Sequence, residues 1–149
     1  MNWSYIAGFF DGEGSLTHNG IGFRITIPQT NEEVLNEIRD FTKIGNVIKL
    51  HKRKSHWKDA WLYYISSKKD VCIFLKKIVP YLEIKKISAQ NAIPNLEKQL
   101  VEMKNKKMLY EKRKRRAKRL RLKGLDYRTI GKALGIDWGY ARRLALDLV

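Results

Sequence analysis

The first apolar segment of the chain predicts a helix that ends abruptly in small and acidic residues. Apolar side chains occupy most positions from 5 to 10, with Gly8 among them. A glycine inside a helix costs about 1 kcal/mol relative to alanine, so we expect another backbone to come close at Gly8. The helix then stops at Asp11-Gly12-Glu13-Gly14. Two acids at this end oppose the helix macrodipole, and a bound Mg²⁺ or Ca²⁺ would compensate them through carboxylate and carbonyl oxygens.

Two strands joined by a tight turn are predicted next. Asn19-Gly20 is a strong signal for a type I′ hairpin turn, and it separates residues 15–17 from residues 21–27. The second strand alternates between apolar and polar residues, which predicts one buried and one solvated face. The residues expected to face inward are Ile21, Phe23, Ile25 and Ile27, and those expected to face outward are Gly22, Arg24 and Thr26. We expect Pro28 to end this strand.

A helix and a second pair of strands follow. Residues 30–33, Thr-Asn-Glu-Glu, form a capping box that predicts a helix start, and a third strand is predicted over residues 45–53. In that strand the residues expected to face the core are Ile48 and Leu50, and those expected to face away are Lys49, His51 and Arg53. Residues 57–66 predict a fourth strand. Its inward face stays ambiguous, because aromatic and aliphatic residues occupy both phases of the alternation.

The remaining helices become increasingly basic. Ser67 is expected to cap a helix that ends before Pro80, and a further helical stretch begins at Lys85-Lys86. Pro94 must kink or interrupt that stretch. A long basic helix is predicted over residues 95–123.

Residues 124–144 resemble a helix-turn-helix. Gly135 would make the turn and Asp137 would cap the second helix, with Ala141, Leu144 and Leu148 buried. The side chains expected to remain exposed on this second, recognition helix are Trp138, Tyr140, Arg142 and Arg143. A small helical hairpin that serves stability or dimer contact is the structural alternative.

The net charge of +16 indicates the kind of partner that the chain binds. Residues 1–100 carry 15 Lys and Arg against 10 Asp and Glu, whereas residues 101–149 carry 16 against 5. A balance this basic favours nucleic acid, and no strongly apolar face accompanies the basic run, which argues against a membrane partner. The single cysteine, Cys72, excludes an internal disulfide and is expected to be buried. No signal peptide is visible, so we expect an intracellular protein.

Residues 6–14, Ile-Ala-Gly-Phe-Phe-Asp-Gly-Glu-Gly, resemble the LAGLIDADG nonapeptide of homing endonucleases. Four signature residues match outright, and they are Ala7, Gly8, Asp11 and Gly14. The predicted order of elements also matches the single-motif fold over about the first hundred residues. The resemblance implies an α+β fold, αββαββα, in which a four-stranded antiparallel saddle binds the DNA major groove. It also implies that two motif helices pack in parallel at the central interface of a homodimer. An ordinary amphipathic helix with an acidic cap is the alternative for the nonapeptide alone.

The same resemblance implies the residues of a cutting site. Glu13, at the eighth position of the nonapeptide, would bind the metal, with the backbone carbonyl of Gly12 as an additional ligand. Gln29 matches the polar residue that orients the water, and Lys85 matches the basic residue near the scissile phosphate. Their structural alternatives are a turn residue for Gln29 and a plain surface lysine for Lys85, with which Lys86 competes.

The sequence differs from some relatives near Gln29. Those relatives place another basic residue shortly after the glutamine, whereas Glu32 and Glu33 follow here. Any second basic helper must therefore come from elsewhere in the chain.

The predicted outward face of the sheet supplies polar side chains that could reach base edges and phosphates. These residues are Arg24, Thr26, Lys49, His51 and Arg53. An ordinary solvated sheet face is the alternative for each of them.

The function implied by the resemblance is a homodimeric, site-specific, intron-encoded DNA endonuclease. It would hydrolyse double-stranded DNA with Mg²⁺ at a long pseudo-palindromic target, and Mn²⁺ or Ca²⁺ would substitute in binding. We expect residues 1–100 to be the endonuclease domain and residues 101–149 to be a DNA-binding extension. Two alternatives stay open. One is a maturase that binds intron RNA, because basic surfaces bind RNA as well as DNA. The other is a transcription regulator without cutting activity.

Overall fold

The computed structural model describes residues 1–52, 54 and 56–147. Asn2 caps the first helix by accepting the N–H of Tyr5 at 2.8 Å. The elements in chain order are α1 (Trp3–Glu13), β1 (Ser15–His18), β2 (Phe23–Gln29), α2 (Glu32–Thr42), β3 (Asn46–Lys49), β4 (Trp61–Ile65), α3 (Lys68–Ile78), a 3₁₀ turn (Val79–Tyr81), α4 (Lys86–Leu122), α5 (Tyr127–Leu134) and α6 (Trp138–Leu146). The α+β class and the order αββαββα are therefore confirmed. Within the described residues, each helix is too short or too polar to cross a lipid bilayer.

The strands form one antiparallel sheet in the order β1-β2-β4-β3. The expectation that Pro28 ends β2 is wrong, because Pro28 pairs with Leu62 of β4 and the strand continues to Gln29. β1 pairs with β2 only as far as Thr26. Beyond that residue one side of β2 is an open edge, and a proline without an N–H is tolerated there.

The predicted phase of β3 is also wrong. Val47 pairs with the fully buried Tyr63, whereas Ile48 pairs with Leu62 on the opposite face and is 44% exposed. Lys49 pairs with Trp61 and therefore lies on the same side of the sheet as Val47. A register shift of one residue exchanges the two faces of a strand. Here the register follows the anchoring of Tyr63, which donates a hydrogen bond to the carbonyl of Ile44 at 2.8 Å.

Two turn regions correct further details of the sequence prediction. Ile21, expected to face inward, precedes β2 and is 77% exposed. The N-cap of α2 is Asn31 rather than Thr30, since the Asn31 side chain accepts the N–H groups of Glu33 and Val34. Ser67 caps α3 as predicted.

The described residues form two compact units, Met1–Leu100 and Val101–Val149. In the first unit, Phe10 of α1 and Phe74 of α3 meet edge to face at 6.1 Å, and both are fully buried with Tyr63. Cys72 is buried in the same core, as predicted. The core therefore lies on one face of the sheet and leaves the other face uncovered by this cluster.

Of the kink or interruption predicted at Pro94, the interruption does not occur. Helix α4 runs for 37 residues with Pro94 inside it. Pro94 is exposed, so water can satisfy the carbonyl that its missing N–H leaves without a helical partner.

The second unit has its own small core around α5 and α6. Ile130, Ala141 and Leu144 are fully buried together with Ala117 of α4. Gly135 ends α5 in the left-handed conformation at φ 64, and Asp137 caps α6 by accepting the N–H of Tyr140. Leu148, also expected to be buried, lies outside the described residues.

Candidate functional site

The C-terminal end of α1 presents two acids in opposite environments. Asp11 is 8% exposed, whereas Glu13, the last residue of the helix, is exposed. Among the described residues, no hydrogen bond or ion pair engages the Glu13 carboxylate. The carbonyl of Gly12 belongs to the last turn, where helical carbonyls lack a partner four residues on. The helix therefore ends with two exposed residues that offer a carboxylate and a carbonyl without a helical partner.

Asp11 is held by the chain segment that leads into α4. Its Oδ2 accepts the N–H of Glu83 at 2.7 Å and that of Ile84 at 3.3 Å, and its Oδ1 accepts the N–H of Lys85 at 2.9 Å. Burial raises the pKa of Asp11, but these three hydrogen bonds and the Lys85 charge outweigh it and leave the pKa below its ordinary value. Asp11 is thus an ionised structural anchor, and its oxygens are already committed within the chain.

The side chain of Lys85 also contacts the end of α1. Its ammonium donates to the backbone carbonyl of Asp11 and lies 5.7 Å from the centre of the Phe10 ring. The structure therefore places Lys85 against the helix end that carries Glu13. Lys86 is instead the first residue of α4.

Gln29 occupies the last position of β2, in register with Trp61. Its side-chain oxygen accepts the N–H of Thr30 at 2.8 Å. Within the described part of the chain, no hydrogen bond joins Gln29 to Asp11, Glu13 or Lys85. The hydrogen bonds of Gln29 are thus confined to the local turn at the end of β2.

One side of α1 is open along its length. A Cβ built on Gly8 or Gly12 meets no atom within 4 Å. The neighbouring rings of Tyr5 and Phe9 stack at 6.0 Å, and Tyr5 is 49% exposed. These glycines are not required by packing within this chain, although each lowers helix propensity.

The sheet face opposite the core carries part of the predicted polar set. Arg24 is exposed there, and Thr26 shares a hydrogen bond with Ser15 at 2.7 Å. Lys49 was predicted to lie on this face, but it lies on the opposite one. It forms an ion pair with Asp59 at 3.3 Å and lies 5.4 Å from the Trp61 ring. His51 is exposed just beyond β3, and Arg53 lies outside the described residues.

The second unit exposes most of the predicted recognition residues. Trp138 is 58% exposed at the start of α6, and Arg142 and Arg143 are exposed. Tyr140 differs from the prediction, because it is half-buried against the small core, with Arg143 5.5 Å from its ring. Its local role is to cover that core and support an arginine.

The oxygens at the end of α1 suit a divalent cation only in part. Across residues 1–52, 54 and 56–147, no three His, Cys, Asp or Glu side chains are grouped closely enough to hold a metal ion. Glu13 and the Gly12 carbonyl are hard oxygen donors, which fits Mg²⁺, since that ion commonly uses one or two carboxylates together with water and phosphate oxygens. The chain therefore offers two oxygen donors of the kind that such a site uses.

Comparison with known proteins identifies the fold. A family model described as LAGLIDADG-like domain matches residues 2–79. The homing endonuclease I-CvuI in complex with its target in the presence of Ca has a TM-score of 0.56 and 21% sequence identity, with 73% of each chain covered. In complex with the I-CreI target in the presence of Mg, I-CvuI gives a TM-score of 0.52, again at 21% identity and 73% of each chain. The archaeal intron-encoded homing endonuclease I-Vdi141I complexed with DNA gives 0.53 at 17% identity, covering 97% of this chain and 94% of that one. No curated protein matches the chain.

The matched region contains the features that organise the site. Residues 6–14 form the helix end with the exposed Glu13, and they lead directly into β1 of the sheet. The family model covers more than half of the chain, and the solved structures share its fold. This chain belongs to the LAGLIDADG-like domain family.

Proposed function

We propose that this protein is a homodimeric, divalent-metal-dependent endonuclease that cuts double-stranded DNA at a specific, pseudo-palindromic site. The observation that carries the proposal is the division of roles between two neighbouring acids. Asp11 is committed to backbone N–H groups, whereas the carboxylate of Glu13 is exposed at the end of the same helix. The related solved structures were captured with DNA, and the two I-CvuI complexes contained Ca or Mg.

The active site is formed by two copies of the helix end. Two Glu13 carboxylates, one from each subunit, meet near the two scissile phosphates, and the Gly12 carbonyls lie beside them. Glu13 and the Gly12 carbonyl would hold a divalent cation there, and the ion would supply activation of water and neutralisation of charge on phosphorus and on the leaving oxygen. The chain's own contribution is to orient these oxygens and to exclude Asp11 from competing for the ion.

Lys85 serves as the cation for the scissile phosphate. It is already held at the end of α1 by the carbonyl of Asp11, so a small movement of its flexible side chain brings the charge to a bound strand. Gln29 orients the attacking water in this proposal, after exchanging its contact with Thr30.

The homodimer is supported by the open side of α1. Gly8 and Gly12 lie four residues apart on a helix, and neither is needed by packing within the chain. Small residues at this spacing let a second helix backbone approach closely. A two-fold dimer presents the same surface to each half of the target, which is why we expect a pseudo-palindrome.

DNA contacts are divided between the two units. In Met1–Leu100, the endonuclease domain, Arg24 and Thr26 face the duplex from the sheet, while Lys49, His51 and Arg53 contact phosphates near its end. In Val101–Val149, the DNA-binding extension, Trp138, Arg142 and Arg143 contact DNA outside the central site, and Tyr140 supports them. The strong positive charge of the extension, 16 basic residues against 5 acidic ones, suits phosphate binding.

Cleavage-site selection from a randomised duplex library in Mg²⁺ tests the proposal. Wild-type protein is expected to cut a two-fold symmetric site. Glu13→Gln is expected to bind the selected duplex but to lose cutting by about 10²-fold or more. Glu102→Gln, at an exposed position of α4, removes the same charge elsewhere and should cut like wild type.

A binding measurement tests the metal independently of cleavage. Ca²⁺ should strengthen duplex binding by wild type and leave binding by Glu13→Gln unchanged, as measured by fluorescence anisotropy. Duplex binding without cutting in any divalent metal would replace the endonuclease with a regulator. Cutting that survives in Glu13→Gln would overturn the assigned site.

A further inference from the structure

Three apolar side chains form one row across the uncovered face of the sheet. Pro28 of β2 pairs with Leu62 of β4, and Leu62 pairs with Ile48 of β3. Residues directly opposite each other on neighbouring strands point to the same face. The row therefore lies on the face that also carries Arg24 and Thr26, which are even-numbered positions of β2 like Pro28.

The row is not part of the protein core. Ile48 is 44% exposed, Pro28 is exposed and Leu62 is half-buried. Among the described residues, none of the three belongs to the apolar cluster that fills the first unit. Exposed large apolar side chains on a strand have a cost in water unless another surface covers them.

The surroundings of the row are polar and graded along the strands. The next paired positions on this face are Thr26, Tyr64 and Asn46, followed by Arg24 opposite Thr17. The apolar row lies at the end of these strands that is nearest to Glu13. β1 begins two residues after Glu13, and its first residue, Ser15, pairs with Thr26. At about 3.3 Å per residue, Pro28 is about 7 Å further along β2 than Thr26.

The size and setting of the row favour DNA over a protein partner. A stable protein interface buries about 800 Å² on each side, and three partly exposed side chains supply only a fraction of that. The only apolar group that B-DNA presents in the major groove is the C5-methyl group of thymine. An apolar row on the same sheet face as Arg24, within a strongly basic protein, is complementary to such a methyl group between phosphates.

We infer that the row formed by Pro28, Leu62 and Ile48 selects thymine in the target, at a position of each half-site close to the cut. This inference rests on the proposed function and extends it to a specificity determinant. Burial of the methyl group against Ile48 and Leu62 rewards thymine, whereas cytosine at the same position presents an amino group that these side chains cannot bind.

Replacing thymine with deoxyuridine in the selected duplex tests the inference, because this removes only the methyl group. At one position per half-site, wild type should lose about 4-fold in affinity for one substitution and about 15-fold for the symmetric pair. Ile48→Gln should no longer distinguish the two bases there, and Ile48→Val should keep most of the discrimination. Ile73→Gln, at a 37% exposed position of α3, is the matched control and should behave like wild type.

The outcomes separate the inference from the proposed function. If wild type cuts its site but tolerates deoxyuridine at every position, the row does not bind thymine and the endonuclease proposal stands. Full discrimination retained by Ile48→Gln would also overturn the inference. If wild type binds no duplex at all, both are wrong. If Ile48→Gln unfolds at the same temperature as wild type, a loss of discrimination does not reflect misfolding.

Discussion

Asp11 and Lys85 exchange hydrogen bonds in both directions across 74 positions of sequence. The Asp11 carboxylate accepts the backbone N–H of Lys85 at 2.9 Å, and the Lys85 ammonium donates to the backbone carbonyl of Asp11. This reciprocal contact fastens the end of α1 to the start of α4. It also holds the Lys85 ammonium at the helix end that carries the exposed Glu13.

We predict that Asp11→Ala destabilises the first unit by about 1–3 kcal/mol at pH 7, because it leaves backbone N–H groups of residues 83–85 without their acceptor. The folded pKa of Asp11 is lowered from 3.8, so its ionised form stabilises the protein fully above that value. The contribution declines as the pH falls below 3.8 through the folded pKa. Urea unfolding of wild type and variant at pH 7 and in acid measures this. A stability difference that grows on acidification would contradict the prediction.

Lys85→Met and Lys86→Met should behave differently in cleavage. Lys85→Met is expected to reduce cutting by about 10²-fold, since it removes a charge at the phosphate, while duplex binding changes little. Lys86→Met should cut nearly as well as wild type. Single-turnover cleavage of the selected duplex with saturating protein separates the two effects. Equal losses in the two variants would indicate that both lysines act only through general electrostatic attraction.

Two glycines of the nonapeptide should respond in opposite ways to alanine. Gly8→Ala adds a methyl group in open space, so we expect unchanged or raised stability, up to about 1 kcal/mol, together with loss of the dimer. Gly14→Ala would place its Cβ in steric overlap with the buried ring of Phe10, so it should destabilise the chain itself. Sedimentation measures the oligomeric state, and thermal unfolding in dilute solution measures stability. A Gly8→Ala protein that remains fully dimeric would refute the proposed interface.

Periodicity predicted the strands of this fold better than it predicted their pairing. The alternation in residues 23–27 identified β2 and its buried Ile25 and Ile27. In β3, Val47 and Ile48 are equally apolar, and local sequence alone offers no reason to choose between them. The choice is made by Tyr63 of β4, whose hydroxyl group is fixed by Ile44 and Thr42. Such a register depends on a contact between distant residues, which a local pattern does not contain.

Prediction of the site from the sequence has a similar limit. The helix end and its two acids were visible in residues 6–14, but the sequence did not identify what holds Asp11. Its actual partners are backbone N–H groups more than 70 residues away, and backbone groups carry no signal in the side-chain sequence. The apolar row at Pro28, Leu62 and Ile48 was missed for a related reason, because Pro28 was expected to end the strand that carries it.

Asp147→Asn should weaken the second unit in a pH-dependent manner. Asp147 ends α6 with φ 62 and accepts from the ammonium groups of Lys114 and Lys118, which lower its pKa to about 2. Its stabilising effect is therefore complete above about 3.8 and is lost as the pH falls toward 2. Asparagine tolerates the left-handed conformation, so the variant removes only the charge. Hydrogen exchange of α5 and α6 at pH 6 and at pH 2.5 should show faster opening of the variant at the higher pH, with convergence in acid.

The paired arginines of α6 should contribute to DNA affinity through phosphates. Arg142 and Arg143 are exposed, and each phosphate contact adds about 0.9 to the slope of log affinity against log salt concentration. The double variant Arg142→Ala and Arg143→Ala should therefore bind the selected duplex more weakly and reduce that slope by about 2. Lys69→Ala combined with Lys77→Ala removes the same charge from exposed positions of α3 and should leave the slope close to that of wild type. If both double variants change the slope equally, α6 contributes net charge alone. If neither changes it, the extension does not contact phosphates. A change in base preference at the outer positions of the target, confined to the arginine variant, would extend the role of α6 from phosphate binding to base recognition.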